Sequence, residues 1–186
     1  MGQKYAYAVE VSPFIAFGDV AAFPVPDGVN AIEISDAQWQ TCLSQPGWTV
    51  VNGALVAPAD PTPAQLLAKA RADQIATVTA SYQSAIYAPI SYTTAGGLTK
   101  TFAADANSQN VLVQTTQGYQ LAGAVPAGFY WVSADNTQVP FALADLKALY
   151  LAMLAQGWTA FQQLQTLKAQ VNNAQTVAGV QLIVWS

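Results

Sequence analysis

The chain has 186 residues, of which 53% are hydrophobic and 9% charged, against roughly 25% charged in an ordinary soluble domain. It has no histidine, which excludes Ser-His-Asp and Cys-His catalysis, HExxH zinc sites and imidazole general bases. Its single cysteine, Cys42, excludes an internal disulfide and a cysteine-rich zinc site, and is compatible with a reducing compartment.

The formal net charge is −4, and the six basic residues are scattered. No Lys/Arg cluster is available to track a phosphate backbone, so no nucleic-acid partner is expected. The longest apolar stretch, Phe141–Ala155, is short and is interrupted by Asp145 and Lys147, so no membrane span is expected. The N-terminal residues lack the apolar run of a signal peptide, and Ala6 stands where a myristoylation motif needs Ser or Thr. Alanine (35 residues) supplies much of the apolar content and glutamine (19) much of the polar content.

Charge divides the chain. Residues 1–60 carry one basic against six acidic side chains, and residues 61–186 carry five basic against four acidic. The break falls at a proline-rich stretch, Ala57-Pro58-Ala59-Asp60-Pro61-Thr62-Pro63. Two modules are expected: residues 1–57, small and β-rich; a linker at 58–63; and residues 64–186, mainly helical, with three helices, one of them long, and two short β-hairpins. The fold class is α+β.

In chain order, Tyr5–Val11 alternates like a strand, and Phe14–Val25 reads as a second extended stretch. Ser35 has the character of an N-cap, with Asp36 at the positive end of a short helix that Pro46-Gly47 ends after Ser44. Asn52-Gly53 between two apolar runs signals a hairpin. Thr62-Pro63 opens a helix that Pro89 ends, with Leu67, Ile75, Val78, Tyr82 and Ala85 on its inner face. Ala95-Gly96-Gly97 turns a second hairpin between Ile90–Thr94 and Leu98–Phe102. Asp105 caps a helix over 106–122 with Val111, Leu112 and Tyr119 inward, and Phe129–Val132 is an aromatic strand that returns through Asp135-Asn136 to 137–141. From Leu143 a 3-4 seam runs through Leu146, Tyr150, Met153, Gly157, Ala160, Leu164, Leu167, Val171 and Ala174. Gly157 suits a bend or a close helix contact, and Thr176 caps a last short turn. The seam is read as an internal helical pair with 63–88, and self-association of the chain is the other use of such a seam.

Carboxylates are the remaining acid–base candidates. Glu33 and Asp36 flank a helix start, and Asp105, Asp135 and Asp145 sit at a cap, a turn and a helix start, where negative charge has a local role. An enzyme acting through carboxylates alone, such as a glycan hydrolase, is the minority reading. No catalytic residue, cofactor site or metal site is expected. Cys42, with no basic residue nearby in sequence, reads as a buried structural thiol. Phe129, Tyr130, Trp131, Trp158 and Phe161 suit either a pocket or a core, and the core is favoured for Trp131 and Phe161. Tyr5, Tyr7, Val9 and Trp185, near the termini, are the candidate partner-binding residues, with Tyr5–Val11 offered as an edge strand.

A resemblance adds to this reading. The run Ala68-Lys69-Ala70-Arg71-Ala72-Asp73, a hairpin ending in Thr101-Phe102 and Asp105, and Ser108-Gln109 opening a helix form one part of it. Trp131 before Ala134-Asp135-Asn136-Thr137-Gln138-Val139-Pro140, the long helix and the Thr176-Val177 tail form another. Ile32-Glu33-Ile34-Ser35-Asp36-Ala37-Gln38-Trp39-Gln40 and Gly53-Ala54-Leu55-Val56 extend it towards the N-terminus. Together they resemble the tail-fibre assembly proteins of phages and prophages over most of residues 30–186. The resemblance implies a chaperone that holds the C-terminal tip of a tail-fibre protein while the trimer forms, in the host bacterial cytoplasm. It also implies an alternative, a structural component retained on the fibre tip of the virion and contributing to host-receptor binding. The family brings no catalytic signature to transfer.

Overall fold

The structure, a computed structural model, describes residues 4–8, 15–19, 27–29 and 31–186. Helices and strands are mixed along the chain. Among the described residues the strands pair only in small antiparallel sheets, one of three strands and three of two, so the chain is α+β. It divides into two compact units, Met1–Thr62 and Pro63–Ser186.

In the first unit, β1 (Lys4–Ala8) lies between β2 (Ile15–Asp19) and β3 (Ile32–Ile34), antiparallel to both. Tyr5 and Ala6 are consecutive, so their side chains leave opposite faces of the strand, and both are buried. This corrects the edge-strand expectation: β1 is the central strand of its sheet, paired with β2 along Lys4–Ala8 and with β3 along Lys4–Ala6, while Val9–Val11 of the expected strand lie outside the described residues. β3 is a strand that alternation did not predict, because three residues are too few to show a period.

Ser35 caps α1 (Asp36–Ser44) through a reciprocal box. Its Oγ accepts from the Gln38 amide at 3.2 Å, and the Gln38 Oε1 accepts from the Ser35 amide at 2.8 Å. Cys42 is buried on this helix, and burial pushes its thiol pKa up, the opposite of what a nucleophile needs. β4 (Thr49–Val51) and β5 (Ala54–Val56) form the hairpin at Asn52-Gly53. Both turn residues have positive φ, +50° and +75°, as a two-residue primed turn requires.

The second unit begins with α2 (Pro63–Ile86), followed by the hairpin β6 (Ile90–Thr93) and β7 (Thr99–Phe102) and by α3 (Ala106–Ala122). A second hairpin, β8 (Tyr130–Val132) and β9 (Gln138–Pro140), leads into α4 (Leu143–Asn173) and the one-turn α5 (Val177–Gln181), capped by Thr176. α4 is 31 residues long, about 46 Å, and it spans two separate cores. Its first half packs Leu146, Leu149 and Met153 against Phe102, Leu112, Val139 and Phe141. Its second half packs Leu164 and Leu167 against Val78 of α2, with Tyr82, Ile183 and Trp185 alongside. The internal helical pair expected from the seam is therefore the α2–α4 contact.

Three residues of this unit depart from expectation. Val111 is exposed, because it lies about 100° around α3 from the buried Leu112. Phe161, favoured as core, is 41% exposed. Gly157 makes no close helix contact: a Cβ there would have nothing within 4 Å.

Long polar side chains satisfy the helix ends that lack local caps. Pro89 stops α2 and leaves its last carbonyls without intrahelical donors. Gln156 of α4 donates to the Ala85 and Ala88 carbonyls, both at 2.9 Å, and Gln109 of α3 donates to the Ile86 carbonyl at 2.9 Å. Arg71 of α2 donates to the Ala174 carbonyl at 2.7 Å, placing a cation on the negative end of α4. Gln156→Ala removes two of these bonds at once and is expected to cost about 1–3 kcal/mol, measured as a shift in the urea midpoint of helix unfolding.

Candidate functional site

A concavity of the second unit lies where the end of α2, the first half of α3 and the middle of α4 meet. It is an open groove of about 670 Å³. Tyr82 and Ile86 come from α2, Gln109 and Val113 from α3, and Tyr150, Met153, Gly157 and the rim residues Leu154, Trp158 and Phe161 from α4. Helical spacing puts Tyr150, Met153 and Gly157 on the groove side of α4, and the space around Gly157 is open, since a Cβ there would meet nothing within 4 Å.

No residue lining the groove is charged. The Gln109 amide nitrogen is already spent on the Ile86 and Ala104 carbonyls, so it offers no free donor. The rim is apolar and in solvent: Leu154 is 50%, Trp158 60% and Phe161 41% exposed. The Trp158 and Phe161 rings stack with centroids 5.8 Å apart. Exposed aromatics that already support one another lose little side-chain freedom on binding, which is what an interaction anchor needs.

Leu151, 61% exposed, extends the rim, so that Leu151, Leu154, Trp158 and Phe161 form a 3-4-3 stripe on the outer face of α4. Spacing alone could have revealed this stripe, since it repeats the period of the buried seam on another face. Two seams of equal period do not by themselves say which one is covered.

The carboxylates are each held locally. Asp105 caps α3: hydrogen bonds from the Ser108 hydroxyl, the Ser108 amide and the Asn107 amide hold its carboxyl below the usual range. Asp135 is lowered further by Lys100 at 2.8 Å, the Ser133 hydroxyl and the Thr137 amide, an arrangement that closes the β8–β9 turn. Asp145 is 3% exposed and accepts from the Ala95 amide (2.7 Å), the Ala142 amide (2.8 Å) and the Tyr92 hydroxyl (3.0 Å). Burial pushes its carboxyl up, but the three donors outweigh burial and leave it below the ordinary value. Asp36 is exposed in the first turn of α1, whereas Glu33, read as part of the helix start, is exposed in the middle of β3 and pairs with Tyr5 of β1. Among the described residues, no three His, Cys, Asp or Glu side chains gather into a metal-binding group. No described helix is long and apolar enough to cross a membrane.

The predicted partner-binding residues belong to both units, Tyr5 and Tyr7 to the first and Trp185 to the second. Tyr5 is buried and stacks on the half-buried Tyr7, with centroids 6.0 Å apart. Trp185 is half-buried against the Val78–Leu164–Leu167 cluster. Val9 lies outside the described residues. Of the aromatics read as pocket or core, Trp158 and Phe161 line the groove, while Phe129 and Trp131 pack beside the first core.

Residues 69–184 match DUF4376, a domain of unknown function. The chain belongs to the DUF4376 family. The DUF4376 region runs from within α2 past α5 and contains every residue lining the groove. No curated protein and no solved structure matches the chain.

Proposed function

We propose that this chain is a non-enzymatic phage tail-fibre assembly chaperone. In this reading it works in the host bacterial cytoplasm, binds the C-terminal region of the fibre protein and assists its folding and trimerisation. The observation that carries the reading is the uncharged groove with its exposed Trp158–Phe161 rim. Such a surface suits apolar segments of another chain and offers no charged group to bind or activate a small substrate. A trimeric fibre exposes apolar edges before it closes, and a reversible cover over them suppresses aggregation. The sequence resemblance supports the same assignment, as does the arrangement of a small β-rich module ahead of a mainly helical domain.

The test is co-expression with a tail-fibre protein from the same genome. The fibre protein is expected to be insoluble alone and soluble with the chain, and equal solubility in both cases overturns the reading. Trp158→Ala is expected to weaken the complex by about 2 kcal/mol, roughly 30-fold in Kd, because a rim aromatic of this kind acts as a binding hot spot. Unchanged affinity would move the binding surface elsewhere. Mass spectrometry of purified particles decides between a released chaperone and a stoichiometric cap on the fibre tip.

A further inference from the structure

We propose that the outer face of α4 docks an amphipathic α-helix of another protein, one whose apolar stripe ends in an acidic residue at each end. The proposal rests on the reading of the adjoining groove as a protein-binding site, and it names the partner's chemistry. Leu151, Leu154, Trp158 and Phe161 are all more than 40% exposed and follow the 3-4-3 spacing by which one helix seats its side chains against another. The open Gly157 beside the stripe leaves room for a partner side chain.

Charge selects the partner. The same register reaches Lys147, four residues before Leu151, and Lys168, seven after Phe161. These two lysines and the buried Asp145 are the only charged residues of α4. Neither lysine has a carboxylate in ion-pair range among the described residues. They stand about 31 Å apart along the helix, so a matching helix needs acidic groups at both ends of a stripe of roughly three heptads.

A second copy of α4 fits poorly in either direction. A parallel pair sets each lysine beside its own counterpart, and an antiparallel pair sets Lys147 beside Lys168. Both arrangements place like charges at both ends, which disfavours association.

The experiment titrates two synthetic helical peptides into the full chain by calorimetry. Each carries Leu at the a and d positions of about three heptads. One has Glu at both stripe ends and the other has Lys. The Glu-ended peptide is expected to bind at least about tenfold more tightly than the Lys-ended one. The double variant Lys147→Glu/Lys168→Glu is expected to reverse that preference, and Leu154→Ser/Trp158→Ser to lose both peptides while keeping its helical circular dichroism. If the serine variant loses helix, the charge-reversal pair carries the test alone.

No binding of the Glu-ended peptide, equal binding of the two, or a preference untouched by charge reversal overturns the proposal. So does a wild-type dimer in sedimentation that Leu154→Ser/Trp158→Ser makes monomeric, since a second copy would then be the occupant. If the peptide test fails while the chain still solubilises the fibre, this inference falls and the chaperone reading stands. The converse pair of results separates them the other way.

Discussion

Asp145→Ala is expected to destabilise the helical unit by about 3–5 kcal/mol, because it leaves buried donors without their acceptor. The carboxylate joins three elements: it caps the first turn of α4 through the Ala142 amide, closes the β6–β7 turn through the Ala95 amide, and holds the Tyr92 hydroxyl. Ala142 has no side-chain oxygen of its own to cap the helix, and Asp145 supplies the reciprocal half of a capping box by accepting the Ala142 amide. Asp145→Asn keeps the shape but turns an NH2 towards donors, and is expected to cost about 2 kcal/mol. Tyr92→Phe, which removes one bond and its hydroxyl together, should cost about 1 kcal/mol. Urea unfolding followed by helical circular dichroism gives the order. Equal losses for Asp145→Ala and Tyr92→Phe would show that the backbone donors find other acceptors.

The pH dependence of this network has a definite sign. The Asp145 carboxyl lies below its ordinary value of 3.8 in the fold, so its contribution is present above that value and is lost as pH falls through the folded one. Burial, then the hydrogen bond to Asp145 and its charge, push the Tyr92 hydroxyl up from 10.0 to about 12. Its contribution is complete below pH 10.0 and is lost as pH rises towards about 12. Tyr92→Phe should therefore flatten the alkaline limb of the stability profile and leave its acid limb governed by the carboxylate.

Phe102→Ala is expected to cost a similar amount, about 3–5 kcal/mol, for a different reason. The ring is fully buried, meets Phe141 edge-on with centroids 5.2 Å apart, and lies 6.3 Å from Tyr92. Its removal leaves a cavity in the core that anchors the first half of α4, where the surroundings cannot collapse without moving the β6–β7 hairpin. Trp158→Ala is the matched control. It deletes a larger aromatic from the same unit, yet at 60% exposure it should change stability by no more than about 0.5 kcal/mol. A large stability loss at Trp158 would mean that the rim is structural and not a binding surface.

Local elements were largely readable. Ser35, Asp105 and Thr176 cap helices as their side chains suggested, and Asn52-Gly53 turns a hairpin because both positions need positive φ. The buried seam of α4 keeps the expected positions Leu146, Met153, Ala160, Leu164, Leu167 and Val171, but Leu149 is buried where Tyr150 was expected, and Tyr150 and Gly157 line the groove. Less was readable where a residue's role depended on a distant neighbour. Val111 and Leu112 are both apolar, and only packing decides which one α4 covers. The usual burial of large aromatics favours Phe161 as core, but it lies 41% exposed on the groove rim, stacked on Trp158.

Sequence alone determined the local properties of this protein: its helix starts and stops, its turns, the lack of histidine chemistry and the apolar period of its long helix. These follow from backbone preferences and side-chain chemistry within a few residues. Tertiary structure decided the rest. It buried Asp145 beneath a hairpin some 50 residues away in sequence and set β1 at the centre of its sheet. It also covered one of two similar stripes on α4 and left the other, with Trp158 and Phe161, in water. The physical reason is that periodicity records which residues could be buried together, whereas burial depends on which surfaces the rest of the fold brings against them.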